Sequence, residues 1–352
     1  MSLLNNLIPL SVAFLVSLLL IHVIIRICHK YAIFDHPGKH KRHTKPTPNL
    51  GGTAILLASW LAIIICLQLW GESFIGIKQA VPNIFLGSLL IYFIGFVDDF
   101  HPVSAWIKLS VQLIVGLILY SGGLSIKLVS LPIVGTTALD GMSVIITVLW
   151  VIALSNAINL IDGLDGLAAG VSIIGFVAMA AIGILYSVEA VAMISLSLAG
   201  ALFAFWLYNR FPARIFMGDN GSLLTGYFFA VVSLAVPIKS YTTAALFIPL
   251  VALGVPLIEA FSSFTRRLIA GRNVMAADRG HIFHYLSYAG LSQKQVVYLF
   301  YLSGLFFGFI SVGMFLFERM LLLTILLLFM VVIFVLYFIF IFRMKRNRRS
   351  NG

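Results

Sequence analysis

The chain has 352 residues, of which 61% are hydrophobic and only 10% are charged. A mean hydropathy of +1.08 excludes a soluble protein of this length, because the surface of such a protein would need far more charge. Continuous apolar runs, without the alternation of a transmembrane barrel, predict an all-α, polytopic integral membrane protein.

The apolar runs predict about eleven transmembrane helices, which form one membrane-embedded domain over residues 1–352. The spans lie near residues 7–25, 51–70, 81–97, 105–120, 143–158, 167–186, 191–207, 223–238, 243–262, 296–316 and 321–342. The longer polar loops cover residues 26–50, 98–104, 159–166, 208–222 and 263–295. No polar or Pro-rich linker marks off a second domain.

The distribution of Lys and Arg predicts the orientation of these spans. If the first span runs inward, 19 of the 23 Lys and Arg residues fall on one side of the membrane. The positive-inside rule places that side in the cytoplasm, with the N-terminus outside, the C-terminus inside and all five loops cytoplasmic. The same rule explains the net charge of +11, so a nucleic-acid partner is not predicted.

The first cytoplasmic loop is rich in Lys and His, and it includes Lys41, His43 and Lys45. A basic loop attracts an anionic lipid or a nucleotide. The same residues also act as a positive-inside signal, so both interpretations stay open at this point.

Two adjacent carboxylates, Asp98 and Asp99, stand at the inner end of the third span. Adjacent carboxylates repel each other unless they share a cation or a proton, and a divalent metal or a phosphate proton supplies that need. The alternative is a solvated helix end.

A polar residue recurs at every third position after the fifth span, where Asn159, Asp162 and Asp165 stand. That spacing predicts that the three side chains share one broad helical face. Gly163 and Gly166 would let the backbone approach a ligand closely. Helix capping explains one such polar residue but not the whole series.

The segment before the eighth span contains Asn209, Phe216 and the sequence Gly218-Asp219-Asn220-Gly221-Ser222. A carboxylate in a tight turn, with backbone N–H groups and a hydroxyl just before a helix, suits a metal-bound diphosphate. Asn209 and Phe216 offer an amide and a ring to a base. The alternative is a glycine turn with an N-capping residue.

The last long loop brings Arg279, His281 and His284 together in the sequence. Arg and His side chains donate hydrogen bonds to phosphate oxygens. Zinc is an alternative ligand for the two histidines, but no third soft ligand accompanies them, and the carboxylates of the chain favour magnesium.

Together, these motifs resemble those of the polyprenyl-phosphate N-acetylhexosamine-1-phosphate transferase family, in the family's motif order from about residue 35 to residue 290. The resemblance implies eleven membrane helices in the bacterial inner membrane, a cytoplasmic catalytic face, and dependence on Mg²⁺ or Mn²⁺. It also implies transfer of a sugar 1-phosphate, in the first place from UDP-GlcNAc, to undecaprenyl phosphate with release of UMP. Such a reaction is the first membrane step in the synthesis of a cell-surface polysaccharide.

The resemblance further implies roles for individual residues. Asp219 resembles the metal ligand, with Asp99 as a second ligand. Asp98, with Asp99 beside it, resembles the carboxylate that deprotonates the lipid phosphate. Nucleotide and substrate binding is assigned to Asn159, Asp162, Asp165, Asn209, Phe216, Arg279, His281, His284, Lys41, His43 and Lys45. Three positions depart from the family pattern, namely His40, Glu259 and Phe283, and they bear on sugar recognition.

Other functions compete with this prediction. The same reaction with another UDP-sugar, such as a deoxy-N-acetylhexosamine or MurNAc-pentapeptide donor, fits the same motifs. A secondary transporter would place carboxylates near mid-span, and an intramembrane aspartyl protease would place two facing carboxylates within spans, whereas the aspartates here stand at span ends. Direct attack by the lipid phosphate is expected, because it needs only a base and a metal. The resemblance also implies a homodimer.

Overall fold

Most of the apolar runs form the helices expected of them, and the differences lie at the helix ends. The structure, a computed structural model, describes residues 3–35, 45–131, 135–236, 254–269, 282, 286–287 and 290–316. The α-helices among them are α1 (Leu3–Tyr31), α2 (Gly51–Leu69), α3 (Val81–Phe100), α4 (Ala105–Ser121), α5 (Met142–Ile161), α6 (Leu167–Leu185), α7 (Glu189–Asn209), α8 (Gly218–Ala235), α9 (Gly254–Ile269) and α10 (Gln293–Leu316).

Seven of the described helices are long and apolar enough to cross a membrane, namely α1, α2, α3, α5, α6, α7 and α10. Helix α4 is shorter, and α8 begins with a polar turn. The predicted span at 321–342 and the first part of the predicted span at 243–262 lie outside the described residues. The described part of the chain is therefore a helical membrane protein, as its composition predicted.

Helices α7 and α8 form the interior of the bundle. Helix α7 packs against α1, α2 and α6, whereas α8 packs against α2, α3 and α5. Helix α8 carries Tyr227, Phe228 and Phe229 into this interior, where all three are buried. The Phe229 ring stacks on Phe176 of α6, with ring centroids 3.8 Å apart. These contacts fix the position of α8, and with it the polar first turn of that helix.

Small residues allow these helices to approach closely. A Cβ atom at Gly200 of α7 would lie 2.2 Å from the carbonyl oxygen of Leu10 in α1. One at Gly226 of α8 would lie 2.3 Å from the carbonyl oxygen of Leu154 in α5. Lipid is as apolar as the helix surfaces, so van der Waals packing of this kind, more than hydrophobic burial, holds helices together in a membrane.

A short antiparallel hairpin lies between α4 and α5. Strand β1 (Leu128–Leu131) pairs with β2 (Gly135–Ala138), with Leu128 opposite Ala138. The hairpin was not predicted from the sequence, because two strands of four residues are too short to give a clear periodic pattern. It joins the end of α4 to the start of α5, and so lies at the end of these helices opposite to the polar motifs.

Several helices extend further into the polar motifs than predicted, among them α3, α5 and α7 as well as α1 and α8. Helix α1 continues to Tyr31, through the start of the predicted loop at 26–50. Helix α8 begins at Gly218, so Asp219 lies in the first helical turn and not in a turn before the helix. The prediction placed this start later because the segment is rich in polar residues and Gly, and it could not anticipate partners from other helices for the first N–H groups of α8.

The predicted helical face shared by Asn159, Asp162 and Asp165 is wrong. Helix α5 ends at Ile161, and Asp162 leaves helical geometry with φ −79° and ψ 43°. A turn follows, and Gly166, with φ +77°, precedes α6. Because Gly tolerates this left-handed conformation, the chain reverses here instead of continuing as a helix. Only Asn159 of the three polar residues belongs to α5.

Candidate active site

Four helix ends meet at one end of the bundle and bring together polar residues from distant parts of the sequence. The last turn of α3 supplies Asp98 and Asp99, and the first turn of α4 supplies Lys108. The last turn of α5 supplies Asn159, and the first turn of α8 supplies Asp219. These residues form one connected group of hydrogen bonds and ion pairs, described in the following paragraphs.

Lys108 bridges two carboxylates at the centre of this group. Its Nζ lies 2.6 Å from Asp98 Oδ2 and 2.7 Å from Asp219 Oδ2. Asp98 is 16% exposed, Lys108 22% and Asp219 29%, so the ion pairs are only partly open to water. Asp98 Oδ1 also accepts a hydrogen bond from the backbone N–H of Val103 (2.7 Å). Two partly buried carboxylates that lie this close to the same ammonium would repel each other without it, so Lys108 stabilises the pair.

Asp99 holds the start of α8. Its Oδ1 accepts hydrogen bonds from the backbone N–H of Asp219 (2.8 Å) and from Asn49 Nδ2 (3.1 Å). Its Oδ2 accepts from the backbone N–H of Asn220 (3.1 Å) and from the side-chain amide of the same residue. The first N–H groups of a helix lack partners within the helix, and a carboxylate at this end is favourable. Asp99 therefore positions Asp219, while its expected roles as base and metal ligand stay predictions.

Asn159 orients the Asp219 carboxylate from the other side. Its Nδ2 donates to Asp219 Oδ1 (3.0 Å) and to Ser222 Oγ (2.9 Å). The Ser222 hydroxyl donates in turn to the carbonyl oxygen of Gly218 (3.0 Å). Gly218 itself has φ +74°, which sets the sharp entry of the chain into α8. Asp219 is thus held at both carboxylate oxygens, one by Asn159 and the other by Lys108.

The segment before α2 pairs with the segment before α8. The Phe216 N–H donates to Pro48 O (2.8 Å), the Gly51 N–H to Phe216 O (3.0 Å), and the Gly52 N–H to Met217 O (3.1 Å). This short ladder fixes Phe216, whose side chain is half-buried, beside the start of α8. The predicted stacking of Phe216 on a base stays a prediction.

Asp162 interacts with the carboxylates of Asp99 and Asp219. Burial, followed by the negative charges of Asp219, Asp99 and Asp165, raises the pKa of Asp162 to about 8. A carboxyl group with such a pKa holds a proton near neutral pH unless a cation takes the proton's place. Four carboxyl groups, those of Asp98, Asp99, Asp162 and Asp219, thus interact in a part of the site where Lys108 is the cation that bridges two of them.

A second set of contacts joins the loop after α5 to the loop after α7. Asp165 Oδ2 accepts from the Ala213 N–H (3.0 Å), and Asn209 Oδ1 accepts from the Gly166 N–H (3.0 Å). Asn209 Nδ2 donates to Ile215 O (2.9 Å), and the residue is only 3% exposed. Asp165 and Asn209 hold the two loops together here, and their contact with a nucleotide stays a prediction.

The carboxylates of Asp98 and Asp219 are suited to a divalent cation that also binds phosphate. Among the described residues, no three Asp, Glu, His or Cys side chains converge into a preformed metal site. Magnesium is commonly held by one or two carboxylates together with substrate phosphates and water. Asp98 and Asp219 supply such carboxylates at a point that already accommodates the positive charge of Lys108.

Several predicted site residues fall on parts of the chain outside the described residues. These are Lys41, His43, Arg279, His281 and His284, together with the departures His40 and Phe283. Glu259 belongs to α9, but its side chain is also outside the described set. Lys45 is exposed, and its carbonyl oxygen accepts from the Thr47 hydroxyl (3.1 Å). The contribution of all these side chains to substrate binding stays a prediction.

Sequence reasoning missed Lys108 and Asn49 as site residues, whereas the Ser222 hydroxyl belonged to a predicted motif. Lys108 entered only as one of the cytoplasmic charges that set the orientation of the spans. One signal was available, because Lys108 stands near the start of an apolar span nine positions after Asp99, where a charge needs a partner. Asn49 carried no comparable signal, since its contact with Asp99 is fixed only by the packing of α2 against α3 and α8.

The core of this site lies within the range matched by a known family. Residues 81–237 match the family model described as glycosyl transferase family 4. That range includes all five residues that connect α3, α4, α5 and α8, namely Asp98, Asp99, Lys108, Asn159 and Asp219.

Three relatives illustrate what the chain is similar to. It is 35% identical over 313 residues to the "Probable undecaprenyl-phosphate N-acetylglucosaminyl 1-phosphate transferase" of Bacillus subtilis, covering 88% of this chain and 86% of that protein. It is 32% identical over 291 residues to the decaprenyl-phosphate N-acetylglucosaminephosphotransferase of Mycobacterium leprae, covering 76% and 73%. It is 32% identical over 266 residues to the phospho-N-acetylmuramoyl-pentapeptide-transferase of Streptococcus thermophilus, covering 70% and 76%.

Proposed function

Because this chain belongs to glycosyl transferase family 4, we propose that it transfers N-acetylhexosamine 1-phosphate from a UDP-sugar to a polyprenyl phosphate and releases UMP. We take UDP-GlcNAc as the donor and undecaprenyl phosphate as the acceptor. The reaction would be the first membrane step in the synthesis of a cell-surface polysaccharide.

The group formed by Asp98, Lys108 and Asp219 carries this proposal. Both substrates of a sugar-phosphate transfer are anions, so the enzyme must offset their repulsion. Two carboxylates that share one cationic group, at the ends of membrane helices, provide a place where a further cation and two phosphates meet. Helix ends also lie near the level of lipid head groups, so a lipid phosphate reaches them without leaving the membrane.

The names of the relatives support the two substrate classes. Those of Bacillus subtilis and Mycobacterium leprae carry N-acetylglucosamine in their names, with undecaprenyl and decaprenyl phosphate respectively. The streptococcal relative is named for a phospho-N-acetylmuramoyl-pentapeptide. GlcNAc is therefore our first choice of donor, and MurNAc-pentapeptide and deoxy-N-acetylhexosamines are the alternatives that the assay below must include.

We place the enzyme in the bacterial cytoplasmic membrane with about eleven spans, an outer N-terminus and a cytoplasmic C-terminus. The bias of 19 among 23 Lys and Arg residues supports this orientation. Lys108 and the loops around Asp219 then face the cytoplasm, where a soluble UDP-sugar is available. A homodimer is also proposed, on the family resemblance alone.

In the proposed reaction, an oxygen of the lipid phosphate attacks the sugar-bearing phosphorus of the UDP-sugar directly. The new P–O bond replaces the bond to UMP, which leaves. Asp98 accepts the proton of the lipid phosphate, and Lys108 keeps positive charge beside it. Asp219, oriented by Asn159, is the proposed magnesium ligand, with Asp99 as the second ligand. Bound Mg²⁺ supplies charge neutralisation at the diphosphate.

The location of the carboxylates argues against a secondary transporter. Asp98 and Asp99 lie in the last turn of α3, and Asp219 lies in the first turn of α8. Residues that guide ions through a membrane commonly lie near its midplane, on helices that are broken there. An intramembrane aspartyl protease is disfavoured on the same ground.

A defined assay tests the proposal. The purified protein in detergent is incubated with undecaprenyl phosphate, Mg²⁺ and each of a panel of UDP-sugars, and UMP is measured. We expect UMP from UDP-GlcNAc only when lipid and Mg²⁺ are both present, with replacement of Mg²⁺ by Mn²⁺ tolerated. Asp219→Asn should lower the rate at least about 100-fold.

Two outcomes would overturn the assignment. One is the absence of UMP release with every UDP-N-acetylhexosamine, including UDP-MurNAc-pentapeptide, from protein whose folding is verified by its thermal unfolding. The other is full activity of Asp219→Asn. Activity with a different UDP-sugar alone would correct the donor and keep the reaction.

A further inference from the structure

The loop between α5 and α6 is held at Gly166 from two directions. The Gly166 N–H donates to Asn209 Oδ1 at the end of α7 (3.0 Å). The Gly166 carbonyl oxygen accepts from the Tyr301 hydroxyl in α10 (2.5 Å). Gly166 O also accepts the Gly170 N–H at the start of α6 (2.9 Å). The two side chains, which lie 43 and 135 positions further along the chain, add tertiary contacts to this local bond. This loop carries Asp162 and Asp165, on the proposed nucleotide side of the site.

The Tyr301 hydroxyl is itself fixed by a second partner. It accepts a hydrogen bond from Trp206 Nε1 (2.8 Å) while it donates to Gly166 O. Its ring packs on Gly170 of α6, where an added Cβ would lie 2.3 Å from two ring carbons. A hydroxyl that donates to one partner and accepts from another, on a ring packed against Gly170, is held in one orientation.

The start of α10, the helix that carries Tyr301, is fixed by two sets of contacts. Ser292 and Gln295 cap its start reciprocally, since the Ser292 N–H donates to Gln295 Oε1 (2.8 Å) and the Gln295 N–H donates to Ser292 Oγ (3.4 Å). In the first turn, the Lys294 ammonium lies 5.8 Å from the centre of the Phe211 ring, in the loop after α7. Helix α10 therefore contacts both loops of the nucleotide side.

We propose that Tyr301 is a positioning residue that sets the conformation of the Asp162–Gly166 loop for the nucleotide part of the UDP-sugar. The inference rests on the proposed function for the identity of the ligand. Tyr301 belongs to none of the sequence motifs and contacts none of the carboxylates bridged by Lys108. It acts through the loop backbone, which contains two glycines and is otherwise held by local hydrogen bonds and by the contact of Asp165 with the Ala213 N–H.

Removal of the hydroxyl leaves Gly166 O without its donor from α10 and Trp206 Nε1 without its acceptor. The loop then populates its binding conformation for a smaller fraction of the time, and the apparent affinity for the donor falls by that fraction. Chemistry at Asp98 and Asp219 is untouched once the donor is bound. The expected effect is therefore on the KM for the UDP-sugar and not on kcat.

The test compares Tyr301→Phe with Tyr298→Phe. Tyr298 lies one turn earlier on α10, is 62% exposed and touches Tyr301 only by a ring contact, so it is a matched control. Tyr301→Phe should raise the KM for the UDP-sugar about five- to twentyfold, with kcat and the KM for the lipid within about twofold. Trp206→Phe should act in the same direction, and the double variant should not exceed the larger single effect.

Amide hydrogen exchange provides a readout that does not depend on activity. In Tyr301→Phe, exchange should increase at residues 162–170 and stay unchanged at residues 218–226, whereas Tyr298→Phe should match the wild type. Unchanged exchange at 162–170 would overturn the proposal, as would an equal rise in KM for donor and lipid. If the wild type released no UMP from any UDP-sugar, the proposed function would fail, and the exchange experiment would still decide whether Tyr301 positions the loop.

Discussion

The Lys108 ammonium lies 2.7 Å from the Asp219 carboxylate, although 111 positions separate the two residues in the sequence. The same ammonium lies 2.6 Å from Asp98, so Lys108 ties the start of α4 to the end of α3 and to the start of α8. A divalent cation bound at Asp219 would share this carboxylate with Lys108. With Mg²⁺ bound as proposed, the site would have one permanent and one exchangeable source of positive charge, and experiments can separate the two.

Lys108→Met removes the permanent charge and keeps most of the side-chain length. We expect UMP release to fall at least about 100-fold, because the carboxylates lose the group that holds them in place for the reaction. We also expect a lower Tm without Mg²⁺, since two carboxylates are left uncompensated. Added Mg²⁺ should then raise the Tm of the variant more than that of the wild type, as measured by thermal unfolding in detergent.

Lys127→Met is the matched control, because Lys127 is exposed and lies beyond the far end of α4. It should leave UMP release and the response of Tm to Mg²⁺ unchanged. If Mg²⁺ raised the Tm of Lys108→Met and of the wild type equally, Lys108 would not be the group that neutralises these carboxylates.

Asp98 and Asp99 should respond differently to the same substitution. Asp99 accepts four hydrogen bonds that hold the start of α8, so Asp99→Asn places an N–H₂ group where donors already converge. We expect Asp99→Asn to lower Tm by about 2–8 °C, the range for loss of a helix cap in a protein of this size. Asp98→Asn should lower Tm less, because its amide oxygen still accepts from Val103, and should abolish most activity.

Circular dichroism at rising temperature and UMP release on the same preparations distinguish the two effects. A wild-type Tm for Asp99→Asn would contradict the positioning role. If Asp99 does have this role, the activity of Asp99→Asn falls because Asp219 is displaced, and added Mg²⁺ at high concentration should restore part of it.

The sequence was sufficient to predict that Asp98, Asp99 and Asp219 belong together, but not to predict the contacts that join them. Asp98, Asp99 and Asp219 stood out because carboxylates are rare in this chain and occur where apolar runs end, and the structure does place them together. Lys108 did not stand out, because a single Lys near the start of a span also serves as an orientation signal. Its role depends on a contact between residues far apart in the sequence, and no local pattern encodes such a contact.

The loop of Asp162 and Asp165 shows the other limit. A spacing of three residues fits a helix. Gly163 and Gly166, however, allow the chain to leave the helix, and hydrogen bonds of Gly166 with Asn209 and Tyr301 stabilise the turn that forms instead. Those partners come from α7 and α10. Short-range periodicity therefore predicted the polar character of this segment correctly and its conformation wrongly.

Gly52 offers a test of the contact between α2 and α8. A Cβ at this position would lie 1.9 Å from Asn220 Oδ1 and 2.4 Å from the backbone nitrogen of Gly221. Gly52→Ala must therefore push α2 away from the turn that carries Asp219, and we expect a Tm lower by at least about 4 °C together with loss of most activity. Gly71→Ala is the control, because an added Cβ there meets nothing within 4 Å. Similar Tm values for both variants would refute this close contact.

Asp162 should make the stability of the metal-free protein depend on pH. Its pKa is about 8 in the folded protein, through burial and the charges of Asp219, Asp99 and Asp165, and its ordinary value is 3.8. Between these values the folded chain holds a proton that the unfolded chain has lost. The unfolded state therefore binds fewer protons, and the free energy of unfolding decreases as the pH rises from about 4 to about 8.

Asp162→Asn removes this titration. In EDTA, we expect the variant to have a higher Tm than the wild type at pH 8, by about 3 °C or more, and a smaller difference at pH 5. Asp140→Asn, at the other end of α5, should leave the difference between pH 5 and pH 8 unchanged. Mg²⁺ should narrow the gap between the wild type and Asp162→Asn at pH 8, because a cation among these carboxylates replaces the proton. If the Tm of Asp162→Asn depended on pH as the Tm of the wild type does, the proton would be bound by a residue other than Asp162.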